Sequence, residues 1–202
     1  MSSREQRQAR NLASALPLLL LAVVLAACGS GGSSADDPSG AEDPPDFAPA
    51  IAKAPPALRE LYDRGGVIAP GELDGFEQQL AEVEGYPAVV NNWASWCGPC
   101  RTEWPWFQAA AAEHLDEVAF IGVNTDDTDD AATTFLSNYP VPYPSFADPG
   151  KELANTVGTT FVGGLPNTLF FDAAGELVYA HQGVYADQAA LDADIAKYAL
   201  SS

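Results

Sequence analysis

The chain has 202 residues, 47% of them apolar and 10% aromatic, so it can bury one good core but is too short for two ordinary domains. Its 28 acidic and nine basic residues give a formal net charge of −19, which argues against nucleic-acid binding. This acidity indicates a strongly solvated surface rather than a particular substrate.

The first 27 residues have the pattern of a secretory signal. Arg4, Arg7 and Arg10 are followed by an uncharged, leucine-rich run that is short for a membrane span of about 20 residues. The run ends at Leu25-Ala26-Ala27-Cys28, and small residues before a cysteine resemble a bacterial lipobox. The resemblance implies cleavage in front of Cys28 and lipidation of its sulfur, so that several acyl chains anchor the mature protein. The alternatives are a plain secretory signal with a chance cysteine and an uncleaved anchor.

Residues 28–56 are predicted to form a flexible tether that carries the lipidated cysteine. The segment is rich in Gly, Ser, Asp and Pro and has almost no aliphatic residue before Ile51, so burial cannot offset the entropy of ordering it. About 25 such residues span roughly 25–30 Å root-mean-square. Loss of residues 1–27 removes three basic and one acidic residue, which leaves a net charge of −21. The folded domain is expected at residues 57–202.

This domain alternates between helical and strand patterns. Helical patterns occur at residues 57–64, 73–83, 101–115, 129–138 and 186–200. Buried-strand or hairpin patterns occur at residues 88–90, 118–123, 167–172 and 176–181. Pro105 is expected to kink or delay its helix, the proline-rich stretch 139–147 must be extended or irregular, and 149–157 can form a short helix. The order β-α-β-α and then β-β-α predicts an α/β fold in which an antiparallel hairpin joins a parallel pair.

Two cysteines stand where a buried strand meets a helix, in the sequence Trp96-Cys97-Gly98-Pro99-Cys100. This context makes the two-residue spacing a redox motif. A thiol at a helix N-terminus lies at the positive end of the helix dipole and beside unpaired N–H groups, which favour the thiolate. We therefore predict that Cys97 is the nucleophile and that Cys100, one turn further in, attacks the mixed disulfide.

Other uses of these residues are less consistent with the sequence. A zinc site needs two further thiol or imidazole ligands, but the only histidines, His114 and His181, are far apart in sequence and Cys28 lies on the tether. A structural disulfide at this spacing closes a small, strained ring of the reducible kind. The acidic run 124–130 lacks the glycine and the terminal glutamate of a calcium loop and is better explained by helix capping. We expect no metal and no organic cofactor, only a redox-active Cys97–Cys100 disulfide.

Two motifs about 65 residues apart carry a family resemblance. The first is Trp93-Ala94-Ser95-Trp96-Cys97-Gly98-Pro99-Cys100-Arg101, followed by Glu103 and Pro105. The second is Gly164-Leu165-Pro166-Asn167-Thr168-Leu169-Phe170-Phe171-Asp172. Together they resemble the TlpA/ResA-like (DsbE-like) branch of the thioredoxin superfamily. The resemblance implies a thioredoxin fold, with a central mixed sheet flanked by helices, and the insertion typical of TlpA-like proteins near residues 141–148.

The resemblance also implies which residues meet a substrate. Pro166 matches the family's cis proline, which faces the cysteine pair and aims the backbone of Leu165 at a substrate peptide for strand-like hydrogen bonds. From the residues alone, an ordinary trans proline in a turn is the default, since only about 5–6% of such bonds are cis. Trp96, Gly98 and Pro99 complete the expected substrate-binding surface, on which Trp96 should be partly exposed.

The proton acceptor for the resolving cysteine is less well defined. Thioredoxins carry a buried aspartate six residues before the first cysteine, where this chain has Asn91, which cannot take the proton. In the branch that the chain resembles, a glutamate near the pair is given this role, which points to Glu103, three residues after Cys100 on the same helix face. The alternative is that Glu103 is a solvated carboxylate in the first turn of the helix. Trp93 is expected in the core.

These observations predict a monomeric thiol–disulfide oxidoreductase, lipid-anchored on the extracytoplasmic face of the cell membrane. Its expected partners are cysteine-containing exported proteins or apocytochrome c, together with a membrane electron donor that resets the pair. Gly98-Pro99 adds no cation and the acidic surface opposes thiolate formation, so we expect a reductant with a potential on the order of −270 to −200 mV. The alternatives are an oxidant of exported proteins, a thiol peroxidase and a non-enzymatic binding lipoprotein.

Overall fold

The computed structural model of the chain describes residues 43–70, 72–153 and 164–201. The predicted signal at residues 1–27, Cys28 and most of the predicted tether lie outside the described residues, as do the last four residues of the helix predicted at 149–157. Within the described part, every helix is too short or too polar to cross a membrane.

The described residues form helices on a single sheet of six strands. The strands are β1 Ile68–Ala69, β2 Ala88–Trp93, β3 Ala119–Thr125, β4 Ser145–Asp148, β5 Asn167–Phe171 and β6 Leu177–Gln182. The helices are α1 Ala48–Ile51, α2 Pro56–Tyr62, α3 Glu72–Glu82, α4 Gly98–His114, α5 Asp129–Asn138 and α6 Gln188–Asp194, which continues into a π-helical turn at Ile195–Ala199.

The sheet is mixed, and its strand order is β1-β4-β3-β2-β5-β6. Strands β1, β4, β3 and β2 are parallel neighbours, whereas β5 is antiparallel to both β2 and β6. Every residue of β2, β3 and β5 is buried, as expected for central strands of a sheet covered on both faces. The predicted α/β fold, with a central mixed sheet flanked by helices, is confirmed.

Helix α4 begins earlier than predicted and continues through Pro105 as one helix. It begins at Gly98 rather than at residue 101, since Cys97 caps it and Pro99 lies in its first turn, where a missing N–H costs nothing. A proline inside a helix costs about 3 kcal/mol or more. Burial of Trp104 and Phe107 on either side of Pro105 offsets this cost through core packing.

An aromatic cluster joins α4 to the sheet and to α5. The rings of Trp93 and Trp104 lie 4.8 Å apart, and Phe135 of α5 packs against both. The Trp93 indole N–H donates to the hydroxyl of Ser145 on β4 at 3.0 Å, so this buried tryptophan also has a polar partner. The prediction that Trp93 belongs to the core is confirmed.

Residues before residue 57, where the sequence analysis starts the domain, also pack on the core. Helix α1 lies within the segment assigned to the tether, and Phe47 and Ile51 pack against the core, where Ala54 is buried. Apolar residues in a proline-rich segment therefore supply enough burial to order its end.

The proline-rich stretch 139–147 leads into β4, which is extended as predicted and pairs with both β1 and β3.

Candidate active site

The position of the cysteine pair follows from the end of strand β2. Trp93 is the last residue of the strand, and the chain turns within three residues to Cys97, the N-cap of α4. The N–H of Cys100 donates to the Cys97 sulfur over 3.2 Å. A helix N-terminus thus directs an N–H group at this sulfur, an arrangement that stabilises a thiolate.

Cys97 and Cys100 form a disulfide, with their Cα atoms 5.3 Å apart. Both residues are largely covered, since Cys97 is 3% exposed and Cys100 1%. The exposed area is slightly larger for Cys97 than for Cys100. This difference has the direction that the sequence analysis predicts, although it is small in the disulfide form.

Pro166 lies at the end of the sheet from which the active-site loop leaves. Asn92 of β2 pairs with Asn167 of β5, so Pro166, the preceding residue, stands next to the end of β2. The Leu165–Pro166 peptide bond is cis, as the family resemblance implies. The carbonyl oxygen of Pro166 accepts the N–H of Gly183 at 3.0 Å, which ties this loop to the end of β6.

We use the name apolar rim for Trp96 and Pro99, which flank Cys97 and Cys100 in sequence, together with Leu165, which precedes Pro166. Trp96 is 60% exposed, Pro99 is exposed and Leu165 is half-buried. Gly98 is also half-buried, whereas Pro166 is buried. The predicted partial exposure of Trp96 is confirmed. The rim is a surface on which an extended peptide could make both apolar contacts and backbone hydrogen bonds.

Asp127, which follows β3, fastens the active-site loop. Its carboxylate accepts the Ser95 N–H at 2.6 Å and the Ser95 hydroxyl at 3.0 Å. It also accepts hydrogen bonds from Asn124 and from the N–H of Thr128. Burial acts to raise the pKa of Asp127, but these hydrogen bonds outweigh it and hold the pKa below its ordinary value.

The neighbouring residues of Asp127 extend this attachment. The Trp96 indole N–H donates to the carbonyl oxygen of Asp126 at 2.8 Å, and the Thr128 hydroxyl accepts the Ala131 N–H as the cap of α5. The capping predicted for the acidic run 124–130 is therefore confirmed. The sequence analysis did not identify Asp127 as a residue that holds the active-site loop. One signal was present, because β2 and β3 are parallel and the residues that follow them lie at the same sheet edge.

Glu103 is fully buried, with 0% exposure, which rules out the solvated carboxylate considered from the sequence. Its Oε2 atom accepts the N–H of Tyr185 at 3.2 Å, and its Oε1 atom has no hydrogen-bond partner among the described residues. Burial raises the pKa of Glu103 to about 8, against a smaller lowering by the Tyr185 hydrogen bond. A carboxyl group with this pKa can exchange a proton near neutral pH.

Three further polar side chains lie buried near Glu103. Asn91 and Thr168 are register partners on β2 and β5, and Tyr143 interacts electrostatically with Glu103. The Asn91 side chain interacts with Tyr143, and the Thr168 side chain interacts with Tyr185. Burial raises the pKa of Tyr143 well above its ordinary value, so its hydroxyl stays protonated. Asn91 and Thr168 are thus linked to Glu103 through the two tyrosines that interact with it.

The two histidines are not brought to the cysteine pair. His114 ends α4 and contacts Glu117, whereas His181 lies on β6 and stacks on Tyr185. Within residues 43–70, 72–153 and 164–201, no group of three or more His, Cys, Asp or Glu side chains is placed to hold a metal ion.

A mixed sheet of this order, with a C-x-x-C disulfide opening a helix and a cis proline beside it, defines a thioredoxin-like protein with a redox-type cysteine pair. The chain belongs to the Redoxin family, whose family model matches residues 45–198.

Curated relatives share this cysteine chemistry by name. The thiol-disulfide oxidoreductase ResA of Bacillus anthracis is 30% identical over 108 residues, which cover 53% of this chain and 61% of the relative. The thiol:disulfide interchange protein HelX of Rhodobacter capsulatus is 38% identical over 96 residues, 47% of this chain and 51% of HelX. The chain therefore matches between half and two thirds of the length of these relatives.

Solved structures agree on the fold. A protein from Chlorobium tepidum, described as the thiol:disulfide interchange protein DsbE, is 30% identical with a TM-score of 0.54, over 59% of this chain and 84% of that one. A second structure, DsbF of Mycobacterium tuberculosis, is also 30% identical, with a TM-score of 0.50, over 57% of this chain and 83% of DsbF. The thioredoxin fold implied by the family resemblance is confirmed.

Proposed function

We propose that the chain is a thiol–disulfide oxidoreductase that reduces disulfides in exported proteins. The observation that carries this proposal is the Cys97–Cys100 disulfide at the N-terminus of α4, where the Cys100 N–H donates to the Cys97 sulfur. The names of ResA, HelX and DsbE support the same chemistry. The dithiol supplies both electrons, so the reaction needs no metal and no organic cofactor.

The reaction has two exchange steps. The Cys97 thiolate attacks one sulfur of the substrate disulfide, which forms a mixed disulfide and releases the other substrate sulfur as a thiolate. Cys100 then loses its proton and attacks the Cys97 sulfur, which closes the Cys97–Cys100 disulfide and releases the second substrate thiolate. The substrate gains two electrons and the cysteine pair loses two. A membrane electron donor then returns two electrons to the pair.

Glu103 is the proposed proton acceptor for Cys100. The two residues are three positions apart on α4, a spacing that places side chains on one helix face. The pKa of about 8 lets the Glu103 carboxyl take up the Cys100 proton and later give it to a departing thiolate. The unpartnered Oε1 atom is the one available for this transfer.

The apolar rim is the proposed substrate-binding surface. An extended peptide can lie along Trp96 and Leu165 with its cysteine over Cys97, while Pro166 leaves the Leu165 backbone facing it. Lipid attachment at Cys28 would keep the domain at the extracytoplasmic face of the membrane. Exported proteins with cysteine pairs, apocytochrome c among them, are the proposed substrates, and the chain acts on them as a monomer.

The test uses the full chain, reduced and then freed of reductant, and a peptide with one intramolecular disulfide. Two peptide thiols should appear for each chain oxidised, and Cys97→Ser should release none. A wild-type rate no faster than that of Cys97→Ser would contradict the proposal and favour a non-enzymatic binding lipoprotein. Hydrogen peroxide consumed faster than the peptide disulfide is reduced would instead favour a thiol peroxidase.

A further inference from the structure

Glu103 makes its one hydrogen bond within the described residues to a backbone group 82 positions away. The donor is the N–H of Tyr185, in the connection between β6 and α6. Because Oε1 has no partner there, the orientation of this buried carboxyl depends on where the Tyr185 backbone lies. Whatever fixes Tyr185 therefore also fixes Glu103.

Tyr185 is held from two sides by residues of different elements. Its ring stacks on His181 of β6, with centroids 3.8 Å apart and planes 11° from parallel. Its hydroxyl donates to Asp194 Oδ2 at 3.2 Å, and His181 Nδ1 lies 3.5 Å from the same oxygen. We call these three residues, His181, Tyr185 and Asp194, the Tyr185 clamp.

The clamp contains more polar contacts than packing alone would require. Tyr185 is 3% exposed, so its hydroxyl is buried. Burying a hydroxyl costs free energy unless the hydroxyl forms a hydrogen bond, whereas an apolar residue of similar size would need no such partner. Burial and then the Asp194 charge raise the pKa of Tyr185 well above its ordinary value, so its hydroxyl remains a donor. A second stacked pair provides a comparison, because Tyr179 of β6 lies 4.0 Å from Tyr198 of the π-helical turn, measured between ring centroids.

We propose that Tyr185 is a positioning residue, which His181 and Asp194 lock in place so that its N–H fixes the Glu103 carboxyl for proton exchange with Cys100. This inference rests on the proposed function. Among residues 43–70, 72–153 and 164–201, Tyr143 and Tyr185 interact electrostatically with Glu103, and burial keeps both uncharged at neutral pH. The Cys100 proton passes to Glu103 as the Cys100 sulfur bonds to Cys97 and the substrate thiolate departs.

The experiment follows the rate at which the reduced full chain reduces the disulfide peptide between pH 5 and pH 10. Glu103→Gln should remove one inflection, which assigns that inflection to Glu103. Tyr185→Phe keeps the stacked ring but loses the bond to Asp194, and Tyr185→Ala also lets water reach Glu103. The Tyr185 N–H hydrogen bond lowers the Glu103 pKa, so its loosening in Tyr185→Phe should move the inflection to higher pH, by about half a unit. In Tyr185→Ala the entering water removes part of the burial that raises this pKa, so the inflection should move to lower pH, by about one unit.

Two controls separate positioning from general loosening of the fold. Tyr179→Phe alters the matched stacked pair and should leave the inflection unchanged, and thermal unfolding shows whether each variant is folded. In a Glu103→Gln background, Tyr185→Phe should produce no further change in the profile. An unmoved inflection in both folded Tyr185 variants, or an equal shift in Tyr179→Phe, would overturn the proposal. An inactive wild-type chain would instead show that the proposed function is wrong.

Discussion

The Asp127 carboxylate accepts hydrogen bonds from both the backbone N–H and the hydroxyl of Ser95, although 32 residues separate the two in sequence. Ser95 comes two residues before Cys97, so this carboxylate fixes the path of the active-site loop from a neighbouring strand. The indole N–H of Trp96, which lies between Ser95 and Cys97 in sequence, donates to the carbonyl oxygen of Asp126. The turn after β3 therefore holds the loop that carries Cys97 in place.

Replacing Asp127 should weaken this attachment. Asp127→Asn keeps the shape but presents an NH₂ group to donors, so we expect the free energy of unfolding at pH 7 to fall by about 1 kcal/mol. The carboxyl pKa is depressed in the folded state, so its contribution to stability is present above the unfolded pKa of about 3.9 and is lost as the pH falls through the folded value. Urea unfolding at pH 7 and pH 3 measures both effects. The exposed Glu77→Gln serves as the control, and an equal loss there would remove the special role of Asp127.

The two cysteines should differ in trapping behaviour. Cys100→Ser leaves the nucleophile without a resolving thiol, so mixed disulfides with substrate proteins should accumulate on Cys97. Cys97→Ser should trap almost nothing, because the remaining sulfur is 1% exposed in the native fold. Non-reducing electrophoresis after rapid alkylation measures the adducts. Similar amounts of adduct in both variants would show that the roles are assigned wrongly.

Glu103→Gln should stabilise the fold at neutral pH while impairing the reaction. The folded pKa of about 8 lies above the unfolded value of about 4.3, so the folded state binds more protons between these values and stability falls as the pH rises. Relative to the wild type, Glu103→Gln should therefore gain stability across this window, on the order of a few kcal/mol at pH 8. Unfolding curves at pH 4, 6 and 8 test the sign. A pH-independent difference between the two proteins would contradict the raised pKa.

The anchor is tested with Cys28→Ser in the full chain. If Cys28 carries the lipid, the variant should lose its acyl chains and, once processed or shed, leave the membrane fraction. Detergent phase partitioning and the mass of the N-terminal peptide measure this. Membrane retention of a Cys28→Ser chain with a cut N-terminus would disprove the lipid anchor.

The reduction potential decides the direction of electron flow. We expect a value on the order of −270 to −200 mV, because no cation lies between the cysteines and the acidic surface disfavours the thiolate. Equilibration in glutathione buffers, followed by the fluorescence of Trp93 and Trp96, measures it. A potential above about −150 mV would favour the oxidant of exported proteins over the reductant.

The parts of the site that were predictable are those set by neighbours in sequence. The buried run of β2 followed by Cys97 and Cys100 locates the dithiol, because a strand end and a helix start are both local signals. The burial of Glu103 was not predictable, since it depends on Tyr185, which lies 82 residues away in sequence and is brought to α4 by the tertiary fold. The unbroken course of α4 through Pro105 likewise depends on tertiary packing, which overrides propensity.

Because both cysteines are largely buried, the Cys97–Cys100 disulfide should react only slowly with small thiols in solution. Small thiols that strike the surface at random seldom meet a residue that is 3% exposed, even where equilibrium favours reduction. A protein that docks on Trp96 and Leu165 keeps its own thiol at the opening for much longer. Reduction by glutathione should therefore be slow compared with reduction by a docking dithiol protein, which parallel stopped-flow measurements would compare. Such a chain would select its electron donor by the duration of contact, and could operate beside a thiol pool with which it exchanges electrons only slowly.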